Sequence, residues 1–146
     1  MLPVSRTLIP DVVHNQTLAT LTGRATVRQA AAMMAERRMG AVLVMEGERL
    51  VGIVTERDIA VRVVAAGLSP ERTRLAEVMT PDPDTLKPDD TVHAALDLMA
   101  RRGYRHLPVK RGRKLVGMVS IRDLYRSVVD QLEADILLLA EGLVHG

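Results

Sequence analysis

Leu50-Val51-Gly52-Ile53-Val54-Thr55-Glu56-Arg57-Asp58-Ile59 is a short apolar run of strand composition that passes straight into a polar helix start. The phrase returns as Leu115-Val116-Gly117-Met118-Val119-Ser120-Ile121-Arg122-Asp123-Leu124, 65 residues later. That spacing holds without a gap from Thr26/Thr91 to Ile59/Leu124, and 14 of the 34 paired positions are identical. Chance at ordinary residue usage would give roughly two. The chain therefore contains an internal repeat, and the fold has to be read as two copies of one unit.

Working outward from the first copy, Thr26 is a good N-cap and Gln29 completes a capping box. The helix predicted over Val27–Arg38 places Val27, Ala30, Ala31 and Met34 on one face. A strand at Ala41–Val44, a turn at Glu46-Gly47-Glu48 and a returning strand at Leu50–Val54 follow. Both strands are nearly continuous apolar runs, the pattern of strands covered on both faces. A helix from about Glu56 to Ala66 stops at Gly67. The second copy repeats this as helix Val92–Arg102, strand His106–Val109, turn Arg111-Gly112-Arg113 and strand Leu115–Val119. Its last helix, about Ile121–Leu143, carries Leu124, Val128, Leu132, Ile136, Leu139 and Leu143 on one stripe. At 1.5 Å per residue it is on the order of 33 Å long, and its later turns have no counterpart in the first copy.

The segments ahead of each copy are less regular. Residues 1–16, with Pro3 and Pro10, form a lead-in that is extended or holds a short helical turn, and Thr17–Leu21 suits a short strand. Ser69-Pro70-Glu71 has the form of an N-cap, a Pro at the first helical position and a first-turn acid, and opens a connector ending at Thr80-Pro81. Three prolines then flank Thr85-Leu86, a second short strand. Each unit thus reads β-α-β-β-α. A three-stranded half-sheet cannot bury both faces alone, whereas two units related by a pseudo-two-fold axis can share one core. The expected class is α+β, with small sheets packed against helices. Residues 1–68 form the first unit with its lead-in, 69–130 the second unit with the connector, and 131–146 a C-terminal helix extension.

Composition limits the chemistry. The chain has 146 residues, 47% apolar and 26% charged, with no Cys, Phe or Trp and only two Tyr. Disulfides, thiolate catalysis and Cys-based metal sites are excluded, and base stacking on aromatic platforms lacks its side chains. No apolar run approaches the ~20 residues of a membrane span, and Met1–Arg6 lacks the basic and apolar blocks of a secretory signal, so the cytoplasm is the expected location. The histidines His14, His93, His106 and His145 show no ligand spacing, and no metal site is expected. No nucleophile–base pair or P-loop is visible. The net charge is only +2, yet Leu98–Arg122 contains eight Lys/Arg and no acid, while the matching stretch of the first copy mixes both signs. A bound anion would be held more strongly by the second half.

Thr55/Asp58 and Ser120/Asp123 sit where a strand becomes a helix. The first N–H groups there are free, and the helix N-terminus carries partial positive charge, so a phosphate finds donors. A carboxylate only accepts, which suits the vicinal diol of a ribose, and the neighbouring Arg57 and Arg122 can reach a phosphate. Ser/Thr-x-x-Asp is also a capping box, which alone accounts for both residues of one copy. Repetition of the whole phrase, with Leu-Val-Gly ahead and Arg beside the Asp, favours binding. Glu56 reads as a solvated first-turn acid.

The two phrases, with Met79-Thr80-Pro81 and Leu107-Pro108-Val109, resemble a tandem pair of CBS domains, the module named after cystathionine β-synthase. The resemblance covers roughly residues 5–130. It implies two clefts between the units that bind adenosine-containing ligands (AMP, ADP, ATP or S-adenosylmethionine), the Asp on the ribose and the Thr or Ser near the phosphate. By position, one cleft would use Met118, Ser120, Arg122 and Asp123, with Met39 and Gly40 on the adenine side and Arg105 facing the phosphates. The other would use Ile53, Thr55, Arg57 and Asp58, with Tyr104 and His106. The first copy has Gly40 where the second has Arg105. The resemblance implies a regulatory module without catalysis, read by a protein partner, and two pairs forming a flat disc. The apolar stripe of the last helix independently motivates a homodimer. The alternatives are a nucleic-acid-binding module using the basic second repeat, for which no recognition motif is present, and a purely structural dimer in which both motifs act only as caps.

Overall fold

The computed structural model describes residues 6–145, so the part of the lead-in over residues 1–5 lies outside the described residues. The first copy folds as β1 (Thr20–Thr22), α1 (Val27–Arg37), β2 (Ala41–Glu46), β3 (Arg49–Thr55) and α2 (Glu56–Asp58), which widens into π-helical turns over Ile59–Val64. A connector with α3 (Leu75–Val78) and β4 (Thr80–Pro81) leads to α4 (Val92–Arg102), β5 (His106–Arg111), β6 (Lys114–Ser120) and α5 (Ile121–His145). The α+β class, with small sheets packed against helices, is as the repeat predicts, and the first copy has the full β-α-β-β-α order.

Local chemistry explains the boundaries. Thr26 and Gln29 exchange the two hydrogen bonds of a capping box, at 3.2 and 2.9 Å. Arg38, in the left-handed region at φ 54°, ends α1. Gly47 and Gly112 supply positive φ, 60° and 62°, in the two hairpin turns. Gly67 at φ 72° stops the helix after β3.

Three expectations need correction. The helix start at Ser69-Pro70-Glu71 is only a turn, with helix resuming at Leu75. The carbonyls of Pro70 and Thr73 are taken by the N–H groups of Arg28 and Val27, the free donors of α1's first turn, which pulls the connector away from helical geometry. The strand expected at Thr17–Leu21 is shifted to Thr20–Thr22, parallel to β2. The strand expected at Thr85-Leu86 is a single parallel bridge from Leu86 to Val109, where Pro108 has no N–H to extend the ladder.

The four-stranded sheet has the order β1-β2-β3-β4, and β5-β6 form a second, two-stranded sheet. Alternation along β2 divides its apolar run: Val42 and Val44 join Val27, Ala30, Met34 and Val54 in the first unit's core. Ala41 and Leu43 instead meet Leu50, Ile53 and Met118 in a cluster shared by the two sheets. The second unit's core contains Leu107, Val109, Val119 and Leu124, and also Leu8 and Val13. The lead-in, grouped above with the first unit, therefore packs against the second. Among the described residues no helix is long and apolar enough to cross a membrane.

Candidate functional site

The end of each hairpin feeds a helix start, and the hydrogen bond that closes one junction recurs in the other. The Glu56 N–H donates to the Gly40 carbonyl at 2.9 Å, and the Ile121 N–H to the Arg105 carbonyl at 2.8 Å. Thr55 and Ser120 are thereby held at the mouths of two clefts. The first, of about 730 Å³, brings together Met39, Gly40, Arg105, Met118, Ser120, Arg122 and Asp123. The second, of about 480 Å³, gathers Ile53, Thr55, Arg57, Asp58, Tyr104 and His106. Every residue the sequence assigned to a cleft lines that cleft, and Arg105 and His106 line both.

Both Asp residues do cap. The Ser120 N–H donates to Asp123 Oδ2 at 3.0 Å and the Asp123 N–H to Ser120 Oγ at 3.1 Å. Thr55 and Asp58 make the same pair, at 2.9 and 3.2 Å. A carboxylate offers about four acceptor positions, so one N–H bond leaves Oδ1 able to accept from a ligand hydroxyl. Capping and ligand binding are compatible. The copies differ at that free oxygen. Asp58 Oδ1 lies 3.8 Å from Arg62 Nε, whereas Asp123 forms no ion pair among the described residues.

The charge of the clefts differs in the same sense. In the second, Arg62 faces Asp58 and also donates to the Val78 carbonyl at 3.0 Å, and Arg102 lies 3.4 Å from Asp84. In the first, Arg38, Arg105 and Arg122 stand against only Glu56 and Asp123, and none of the three is in an ion pair among the described residues. Arg38 was missed in the sequence, since nothing in its spacing distinguishes a helix C-cap that faces a cleft.

Glu56, expected as a solvated acid, is exposed but lines both clefts. With Arg105 and His106 it forms their common wall. Gly40 sits under this wall: a Cβ there would lie 3.1 Å from Glu56 Oε1 and 3.2 Å from His106 Nε2, so those side-chain ends would have to give by a few tenths of an ångström. Burial pushes the His106 pKa below its ordinary value of 6.5, with Arg105 acting the same way and Glu56 and Asp123 opposing. The other missed residue is Gln16. Its amide accepts from the Met118 N–H at 3.0 Å and donates to the Met118 carbonyl at 2.9 Å, fixing the floor of the first cleft. Among the described residues there is no cluster of metal-ligating side chains.

The basic second half is partly neutralised, Arg101 by Asp97 at 3.1 Å and Arg102 by Asp84.

A family model described as CBS domain matches the chain twice, over residues 9–65 and 75–130. The chain is 36% identical over 115 residues to CBS domain-containing protein CBSCBSPB2 of Arabidopsis thaliana, which is 78% of this chain and 22% of that protein. It spans 22%, 63% and 54% of the length of three such curated relatives. A protein with CBS domains from Burkholderia ambifaria superposes with a TM-score of 0.81 at 37% identity, covering 86% of this chain and 95% of that one. A CBS domain protein from Pyrobaculum aerophilum complexed with AMP superposes with a TM-score of 0.69 at 32% identity, covering 75% and 85%.

Proposed function

Because the chain belongs to the CBS-domain family as a tandem pair, we propose that it is a regulatory module that binds an adenosine-containing ligand between its units and performs no chemistry on it. The candidates are AMP, ADP, ATP and S-adenosylmethionine. The observation that carries this reading is the pairing, in both clefts, of a carboxylate that caps through one oxygen only with nearby arginines, the other oxygen being unpaired in Asp123 and facing Arg62 in Asp58. The free oxygen suits ribose hydroxyls, the helix start and Thr55 or Ser120 suit a phosphate, and Met39, Gly40 and Met118 offer a flat apolar slot for a base. The AMP complex of the Pyrobaculum protein supports the ligand class. The three unpaired arginines favour the first cleft for the more highly phosphorylated ligands.

Binding would act by favouring one relative arrangement of units or subunits, which a protein partner then reads. Calorimetry with the four ligands on wild type, Asp58→Ala and Asp123→Ala tests the assignment. Heat is expected with at least one adenosyl ligand, and each substitution should remove one cleft's share of it. No heat with any of the four would overturn the proposal and leave both motifs as helix caps.

A further inference from the structure

Arg62 follows Asp58 by one helical turn, and its guanidinium is held from two sides. Nε lies 3.8 Å from Asp58 Oδ1, while Nη1 donates to the Val78 carbonyl at 3.0 Å and the Met79 carbonyl at 3.3 Å. Val78 is the last residue of α3 and Met79 its C-cap, so these carbonyls have no partner inside their own helix. Most surface ion pairs are weak because two long side chains must be ordered to make them. Here the connector has already fixed the arginine, and the Asp58 side chain is only 15% exposed. Asp58 Oδ2 is taken by the Thr55 N–H at 2.9 Å. Arg62 therefore stands beside the one oxygen of Asp58 that a ligand hydroxyl would use, and both residues line the second cleft.

The repeat provides an internal comparison. The position matching Arg62, 65 residues on, is Ser127. Ser127 is 5% exposed and its Oγ has no hydrogen-bond partner, so this turn of α5 brings no cation to Asp123. The second unit ties down its own packed segment differently. Arg6 of the lead-in donates through Nε to Gln131 Oε1 at 2.9 Å, one turn beyond Ser127 and away from the carboxylate. Anchoring a segment therefore does not require an arginine beside the motif Asp, yet the first unit places one there. We propose, resting on the adenosyl reading above, that Arg62 is an internal competitor for ribose. It occupies the approach to Asp58 Oδ1, and a nucleoside enters the second cleft only by displacing it, whereas the matching oxygen of Asp123 is open. The two clefts then fill over different ranges of ligand concentration, the first before the second.

Adenosine is the probe, because it carries the ribose and the base but no charge of its own. Calorimetry in an Asp123→Ala chain reads the second cleft alone, and in an Asp58→Ala chain the first. Arg62→Gln keeps an amide donor for the Val78 carbonyl and removes the charge. In the Asp123→Ala chain it should tighten adenosine binding about 2- to 5-fold, the release of one modest ion pair. In the Asp58→Ala chain it should change nothing. Raising the salt from about 0.05 to about 0.5 M screens the pair, so adenosine should gain more affinity at the second cleft than at the first, and Arg62→Gln should abolish that difference. A purely structural bracket would not produce this salt response. The salt series leaves residue 62 untouched, so it decides even where Arg62→Gln fails to fold. Equal or weaker adenosine binding in folded Arg62→Gln, or the same salt response in both clefts, overturns the role of Arg62 and leaves the adenosyl reading standing. No adenosine heat in any chain, wild type included, removes that reading and the role of Arg62 with it.

Discussion

Asp123 caps through Oδ2, which takes the Ser120 N–H, and the proposed function gives its Oδ1 a second duty toward a ligand. Asp123→Asn keeps an acceptor for the cap and removes the charge. Its melting temperature should stay near wild type while nucleotide affinity at the first cleft falls about 10- to 100-fold, the loss of one charged hydrogen bond. Calorimetry and a thermal melt of the same protein read both, and an unchanged affinity would reduce Asp123 to a cap. His106 is the residue where pH enters. Its folded pKa lies below 6.5 because burial and Arg105 outweigh Glu56 and Asp123. The unfolded chain therefore binds the proton more readily. The stabilisation due to neutral His106 is complete above the ordinary value of 6.5 and is lost as pH falls from there through the folded pKa. His106→Gln should flatten the fall in melting temperature between about pH 7 and pH 5; an identical slope in both proteins would show that other groups set it. Asp123, Asp58 and their hydroxyl partners were legible because the chain states them twice. Arg38, Gln16 and the position of Glu56 were not, since each owes its place to the fold rather than to a pattern in its neighbours.

Among the elements, the edges of the two hairpins show how unlike segments do one job. The outer edge of β3 is paired by β4, with Gly52 opposite Pro81 and Ile53 opposite Thr80. The equivalent edge of β6 is covered by the side chain of Gln16, which stands 65 residues before Pro81 and offers one amide where β4 offers backbone. Gln16→Ala removes two hydrogen bonds and exposes that edge. It should lower stability by about 1–3 kcal/mol and weaken binding at the first cleft but not the second, as followed by denaturant titration and calorimetry. The repeated glycine of Leu-Val-Gly has its reason here. A Cβ on Gly52 would meet the Met79 side chain and, at 3.1 Å, the Thr80 carbonyl; on Gly117 it would meet Gln16 Oε1 at 3.1 Å and Ile9 Cδ1 at 3.2 Å. Gly52→Val should cost about 1–3 kcal/mol through overpacking, and a neutral result in the same titration would mean that β4 yields freely. The repeat announced that these glycines mattered, but the covering strand was hidden in a proline-rich stretch with no periodicity to read.

At the scale of the molecule, the two clefts share Glu56, Arg105 and His106, so a ligand in one would touch residues that also line the other. Ligand in the first cleft should change affinity at the second by about 5-fold or more, within the usual range of coupling between sites. Titrating wild type against Asp58→Ala and Asp123→Ala measures this, and affinities in the single-cleft variants equal to those of wild type would show independent sites. The pseudo-symmetric pairing of units was legible from the repeat because each half-sheet needs a second. The assignment of the flanking segments was not, because their contacts are set by distant chain. Leu8 is fully buried in the second unit's core, and the Leu8 and Ile9 N–H groups donate to the Asp90 and Pro88 carbonyls at 3.0 Å. Leu75 and Val78 of the connector are buried in the first unit's core. Along the chain the units therefore interleave rather than follow one another. Severing the connector would leave neither product whole, the later fragment missing its Leu8 plug and the earlier one trailing an unhoused segment. The smallest autonomous half would be a non-contiguous one, residues 82–143 complemented in trans by a peptide of residues 6–16.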